Sequence, residues 1–493
     1  MTRRTELLLP NAGSEDLSLV PLLDAAEFRR HVVSSAEAGA GISALFAVPE
    51  PRPASGHRIF AVLRDEGGGV VRITSAHVDA SYPALTPDCP SAHLFEREIA
   101  ELWGIEPEGH PWKKPVRFPA ATAGDMEFYR VEGEEIHEVA VGPVHAGVIE
   151  PGHFRFQCHG EKVLHLEISL GYQHRGVEHG LAAGPDAKSI HYAETLAGDT
   201  TVGHATAYCQ AVEALSRCAV PARGQAVRGI ALELERVANH VGDLGALAGD
   251  VGYLPTASWC GRIRGDVLNL TALICGSRFG RGLVVPGGVG FDVDETLAQE
   301  ILERLSSIEK DASGAIDLLW KSPSVVARFE DTGVLSAKAA REIGLVGPAA
   351  RACGLEADVR HDFPAGIYRF SHIPAATWRT GDVFARAFVR RLEIERSLDF
   401  VREQLHSLPA GGVRVGVSRL APSRMVVSMV EGWRGEICHV AASSVDNRFA
   451  CYKVVDPSFH NWMGLALALR DGQISDFPLC NKSFNLSYCG HDL

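Results

Sequence analysis

The histidines His145, His153, His174, His179, His204 and His240 crowd one half of the chain. Imidazole titrates near neutral pH, so several of them lining a polar cavity could carry protons. Taken singly, each reads as a hydrogen-bonded structural residue; taken as a group, at least one is expected to be functional. Glu150, in Glu150-Pro-Gly-His153, is a second proton-handling candidate. Burial would raise such a carboxyl toward neutrality, whereas an exposed turn position would leave it inert. Arg175 and Glu178 lie close enough to pair or cap, with a gating role as the alternative. Asp199 could hold a proton or water, or cap a helix starting near residue 203. Tyr208 fits a helix face that lines the core. Lys482, Ser483, Asn485, Ser487 and Tyr488 make a polar tail whose groups either satisfy one another or bind a small polar ligand.

Cysteine chemistry is poorly supported. The 11 cysteines are scattered, and no C-x-x-C spacing occurs. A zinc ribbon or an iron–sulfur site built from this chain alone has no ligand pattern to rest on. A disulfide framework is not expected in a cytosolic chain of this size, so most cysteines read as small buried hydrophobes.

The elements that must position these groups fall into an α+β arrangement. Residues 1–110 read as a small α/β domain. Ile59–Leu63 and Val70–Thr74 are expected strands, joined by the turn Asp65-Glu-Gly-Gly-Gly69. A helix follows, with Ser91 as its N-cap, Phe95, Ile99 and Leu102 on one face, and Gly104 at its end. Glu96, Arg97 and Glu98 then fall on or near the wet face as a salt-bridged surface. Residues 111–137, punctuated by Pro111, Pro115 and Pro119, form a linker. Residues 138–493 open with a hairpin, in which Phe154, Phe156 and Cys158 alternate before the turn His159-Gly-Glu161. Apolar residues at helical spacing then predict a bundle from residues 203–217, 225–248, 257–276, 293–320 and 379–406. Short strands are expected at Val413–Val417 and Met425–Met429, then a helix around 458–470 and an irregular tail.

Bulk properties exclude several function classes. A chain of 493 residues with 46% hydrophobic and 22% charged residues has room for two or more domains of ordinary globular composition. A net charge of −13 argues against nucleic acid, which needs clustered Lys and Arg. No apolar run is long enough to span a bilayer, and the three-leucine stretch near the N-terminus is too short for a secretory signal. The expected location is cytoplasmic, with any membrane contact made through partners.

From about Glu150 onward the sequence resembles the large subunit of energy-converting, membrane-bound nickel–iron hydrogenases of the formate hydrogenlyase and hydrogenase-4 type. These are relatives of the 49-kDa subunit of respiratory complex I. The resemblance rests on Gly142-Pro-Val-His145, Glu150-Pro-Gly-His-Phe-Arg155, Gly171-Tyr-Gln-His-Arg-Gly-Val-Glu178, His204-Ala-Thr-Ala-Tyr208, Glu233-Leu-Glu-Arg-Val-Ala-Asn-His240, Pro286-Gly-Gly-Val289, Gly381-Asp-Val-Phe-Ala-Arg386 and Glu431-Gly-Trp-Arg-Gly-Glu436. His93–Ile105 with Gly109-His-Pro111 resembles the 30-kDa complex I subunit, fused in front.

The resemblance implies more than the residues alone. It places two pairs of nickel-ligating cysteines at Ala197 and Thr200 and at Ser487 and Gly490, none of which is a cysteine. Methyl, hydroxyl and hydrogen cannot replace four soft thiolates. It makes Glu150 a proton-relay glutamate and puts His145 and His153 where complex I contacts quinone. His204, Tyr208, Arg175 and Glu178 become candidates to line a cofactor cavity. Gly198 takes the place of the quinone-site tyrosine of complex I. The chain would bind no cofactor alone. It would face the 4Fe–4S cluster of a small partner subunit, join other complex I-like peripheral subunits and dock on antiporter-like membrane subunits at the inner face of the membrane. The assembly would be an NADH–quinone oxidoreductase- or hydrogenase-like complex, with NAD and quinone binding as family traits. Three functions follow: an oxidoreductase subunit with a quinone or other acceptor, a non-catalytic coupling scaffold, or a hydrogenase with atypical metal binding.

Overall fold

A computed structural model describes residues 4–50, 56–65, 68–119, 121–147 and 149–493. The N-terminal unit is a mixed sheet in the order Leu7–Leu9, Val71–Val78, His57–Arg64, Gly41–Pro49, with Leu22–Leu23 added in parallel to Val71–Val78. The helices Ala25–Glu37 and His93–Trp103 belong to this unit. Of the expected turn at residues 65–69, Glu66 and Gly67 lie outside the described residues.

A second sheet is the hinge of the architecture. Strands Arg424–Gly432, Gly435–Ser443 and Phe449–Val455 run antiparallel, and Ser14–Asp16 from the far N-terminus adds to the edge. Side chains alternate across a strand, so each face needs its own cover. Met425, Val427 and Met429 pack into the N-terminal core, while Val426 and Val430 pack against the helices. The N-terminal unit is thus joined to the rest through a shared apolar layer.

The long helices of the large domain are Thr201–Ser216, Ala222–Asp250, Leu254–Cys275, Glu295–Trp320 and Val383–His406. A three-stranded sheet, Ile136–Val141, His153–His159 and Lys162–Ser169, stands at one end. Among the described residues no helix is long and apolar enough to cross a membrane.

Four expectations need correction. Helix His93–Trp103 has no side-chain cap from Ser91, which lies in the preceding 3-10 turn; Gly104, at φ 66°, does close it. Glu96, Arg97 and Glu98 are buried rather than wet. Glu96 accepts from Leu85 N, Thr86 N and Thr86 Oγ1, and Arg97 donates to the carbonyls of Lys114 and Pro115. The helix is covered on a second side by residues 114–118 and by the large domain, which a single-helix pattern cannot reveal. Val413–Val417 is an extended loop that makes only a bridge from Arg414 to Gly288, because its backbone is tied to Gly287 and Val289. The tail is not irregular. It forms helices Phe477–Phe484 and Tyr488–Asp492, separated by Asn485 in a left-handed conformation at φ 45°.

Candidate functional site

The start of helix Thr201–Ser216 and the C-terminal tail meet. Gly198 N–H reaches the Cys489 thiol, and Arg175 binds both strands of the encounter. Its guanidinium donates to the carbonyls of Thr195, Leu196 and Cys489, and its backbone N–H to Leu493 O at 2.7 Å. Ala197, Thr200, Ser487 and Gly490 therefore belong to two segments in direct contact. Ser487 Oγ caps the last helix by accepting from Gly490 N at 2.9 Å, and Ser487 N donates to Ser458 Oγ at 2.8 Å. A Cβ on Gly490 would fall 2.7 Å from Asp456 Cγ, so any side chain there would displace the Asp456 carboxyl.

Between the segments stands Arg434, from the tight turn linking two strands of the central sheet. It holds Asp199 through two parallel bonds, Nη1–Oδ1 at 2.6 Å and Nη2–Oδ2 at 2.8 Å. This is the geometry guanidinium and carboxylate favour. Its Nε donates to Asn485 O, and its Nη1 also reaches Thr200 Oγ1 at 3.3 Å. Trp433 Nε1 donates to Thr200 Oγ1 and to Asp199 O, both at 3.1 Å. Burial pushes the Asp199 carboxyl up, but Arg434 outweighs it and holds the group below the usual carboxylate range. Asp199 thus does not cap its helix. Glu235 does so instead, accepting from Val202 N at 2.7 Å and Gly203 N at 3.1 Å. Burial raises the Glu235 carboxyl to about 8. A second ion pair, Arg390 Nε to Asp243 Oδ2 at 2.8 Å, lies beside the first, and Asn485 donates to the same Asp243.

Glu150 is neither free nor a simple turn residue. It accepts from Tyr488 N at 3.1 Å and hydrogen-bonds the Cys489 thiol. Burial, with Glu150 alongside, pushes that thiol up to about 11, so it stays protonated. His145 Nε2 bonds Gly152 O at 2.8 Å. His153 Nδ1 bonds Gly142 O at 3.0 Å, and Arg155 Nε donates to His153 Nε2 at 3.1 Å. With Arg155 as a donor on one nitrogen and a carbonyl on the other, His153 is held at both of its ring nitrogens. His174 Nδ1 bonds Asp492 O at 2.8 Å, and His240 Nε2 bonds Glu393 at 2.7 Å.

His204 sits in a buried relay. Asp456 Oδ2 is 3.0 Å from His204 Nε2, His204 Nδ1 is 3.1 Å from His439 Nε2, and His439 Nδ1 is 2.9 Å from Tyr452 Oη. Burial holds His439 well below the usual histidine range and Tyr452 well above the usual phenol range. Both are therefore neutral at pH 7.

Two candidates lie elsewhere. Arg175 and Glu178 do not pair: Glu178 is 3.0 Å from Lys453 Nζ and accepts from Val454 N at 2.9 Å. Tyr208 is part of the helical core and packs on Tyr452, with ring centroids 6.1 Å apart. Sequence reasoning passed over Trp433, Arg434, Asp456, His439, Asp243 and Arg390. The motif Glu431–Glu436 and the Asp456-Pro457 helix start were the available signals for the first three. Among the described residues, no three His, Cys, Asp or Glu side chains are grouped so as to hold a metal ion.

Comparison with known proteins agrees with this architecture. Residues 32–125 match the family model of the respiratory-chain NADH dehydrogenase 30 kDa subunit, and residues 250–424 that of the 49 kDa subunit. The carbon monoxide-induced hydrogenase of Rhodospirillum rubrum is 31% identical over 350 residues, covering 71% of this chain and 97% of the relative. Formate hydrogenlyase subunit 5 of Escherichia coli (strain K12) is 27% identical over 479 residues, covering 91% and 84%. Among solved structures, a chain of the membrane-bound sulfane sulfur reductase, an archaeal respiratory membrane complex, superposes with a TM-score of 0.67. It is 23% identical and covers 74% of this chain and 100% of that one.

Proposed function

Because the chain belongs to the family that unites complex I-like hydrogenase large subunits with the 49-kDa subunit of NADH dehydrogenase, with a 30-kDa-subunit-like domain fused in front, we propose that it is a subunit of a membrane oxidoreductase complex coupling electron transfer to ion translocation, without a nickel–iron site of its own. The observation that carries this reading is the Arg434–Asp199 pair, standing between the two segments that would supply metal ligands. A guanidinium cannot be deprotonated in a protein and repels a cation. Ala197 and Thr200 offer a methyl and a committed hydroxyl, and Gly490 has no room for a side chain. These groups do not suit an ion that demands four thiolates.

In this reading a small subunit with a 4Fe–4S cluster packs against the chain and antiporter-like membrane subunits carry the ions, all at the inner face of the membrane. Electrons pass to a quinone or another acceptor. The residues of this chain would handle protons. Glu150 hydrogen-bonds the Cys489 thiol, and the string that runs from the Asp456 carboxylate, held despite burial below the usual range by His204 and Arg434, through His204 and His439 to Tyr452 offers a path along which a proton can be passed between hydrogen-bonded neighbours.

The packing of the tail segment also favours a second reading, a coupling scaffold that does no redox chemistry. The joint substitution Glu150→Gln with His153→Gln separates the two in membranes holding the whole complex. Loss of acceptor reduction with loss of transport supports the oxidoreductase. Transport that continues unchanged supports the scaffold. Hydrogen evolution by the wild-type complex would defeat both.

A further inference from the structure

A cavity of about 830 Å³ opens where the N-terminal unit meets the central sheet, with His174 and Leu493, at the end of the tail, also in its lining. Its size falls within the range of small-molecule sites. The walls are mainly apolar. Phe46 and Phe60, stacked at 5.4 Å, come from one side, and Val177, Met425 and Tyr452 come from the other. Trp103, 39% exposed, stands at its rim.

The polar end of this cavity is built from buried charge. Lys453 Nζ bonds both oxygens of Glu98, at 2.7 and 2.8 Å, and lies 3.0 Å from Glu178 Oε1. Arg117 Nη1 bonds Glu98 and stands 3.7 Å from Glu178 Oε2. Two cations face two anions, so the quartet is balanced. A charged ligand head would leave one charge uncompensated in a low-dielectric site, at high cost. The members differ in exposure: the Glu98 side chain is 2% exposed and that of Glu178 19%. Among the described residues Glu178 Oε2 accepts no hydrogen bond. An ionised carboxylate oxygen is an acceptor only, so the complementary ligand group is a donor.

We propose that this junction cavity binds an uncharged, flat, mostly apolar ring molecule carrying one hydroxyl or N–H group, which donates to Glu178. The aromatic walls take the ring, and the balanced quartet excludes ionised heads. The site is independent of the metal question, and it is where the Asp456–His204–His439–Tyr452 string ends.

Calorimetric titration of the full chain with 1-naphthol and with naphthalene tests this. The expected result is one saturable site per chain, with 1-naphthol bound about tenfold more tightly, since a hydrogen bond to a charged acceptor is worth at least that factor. Glu178→Gln should remove most of that preference and leave naphthalene binding in place. Ala182→Trp and Ala450→Trp, each placing an indole into the cavity from a different element, should each abolish binding of both probes while the melting temperature holds. Absence of saturable binding, binding that survives both tryptophan variants, or equal affinity for the two probes would overturn the proposal.

Discussion

Arg434 and Asp199 face each other through two parallel hydrogen bonds of 2.6 and 2.8 Å, at the junction of the first long helix, the central sheet and the C-terminal tail. The pair ties together segments that are far apart in sequence. Removing one partner leaves the other partly buried and uncompensated.

Arg434→Met should therefore lower unfolding free energy by about 2 kcal/mol, toward the low end for a broken buried pair because Asp199 keeps some solvent contact. Asp199→Asn alone should cost a similar amount. The double variant should recover part of the loss, giving a coupling energy above about 1 kcal/mol in a urea-melt cycle. Strict additivity would mean that the pair is incidental.

Glu98 is the anion that both Arg117 and Lys453 depend on. Burial raises its carboxyl, but the two cations outweigh that and hold it below the usual range. Glu98→Gln leaves two buried cations to the partly exposed Glu178 alone and should cost about 3 kcal/mol, the low end for a broken buried pair. Because Glu98 joins the N-terminal unit to the central sheet, the loss should appear in one cooperative transition rather than as early melting of residues 4–119. Hydrogen exchange resolved along the chain distinguishes the two outcomes.

Acid should destabilise the protein before its carboxylates are titrated. Burial lowers His93 and His460 to about 3. Below the ordinary histidine value near 6.5, the unfolded chain takes up protons that these folded residues refuse. Stability then falls as pH drops from about 6.5 toward 3. Each histidine accounts for roughly 1.5 kcal/mol between pH 6.5 and 5. His460→Gln should flatten the pH dependence of urea melts by that amount. An unchanged slope would show that the unfolded and folded states hold the same number of protons at this residue.

Gly490→Cys tests whether a thiol can simply be reinstated in the tail. Its Cβ would meet the Asp456 carboxyl at 2.7–2.9 Å. Forced packing of this kind costs about 1–3 kcal/mol. The variant should lose that stability and gain no affinity for nickel in equilibrium dialysis.

The sequence disclosed the long helices because each repeats its apolar residues at helical spacing over many turns, as in Ala222–Asp250 and Val383–His406. It also disclosed the hairpin at Phe154, where alternation marks the buried face, though not the shift of register between Gln157 and Cys158. Tertiary cover was not legible. Glu96, Arg97 and Glu98 look like a solvated face until residues 114–117 and Lys453 close over them. The tail helices were missed because eight and five residues, broken at Asn485, are too few to show a period. At the site, Glu150 and Asp199 stand out in the sequence as carboxylates beside turns and helix starts, but their partners Cys489 and Arg434 come from distant segments and depend on the fold. Arg175 and Glu178 read as neighbours on the turn that follows the hairpin. Gly176, in a left-handed conformation, separates them and sends Glu178 toward Lys453.

If this family frame operates without a thiolate-bound nickel ion, the metal content of the purified, assembled complex shows it. Inductively coupled plasma mass spectrometry should find iron from partner clusters and nickel far below one atom per chain. One nickel per chain, retained through gel filtration in a chelating buffer, would contradict this.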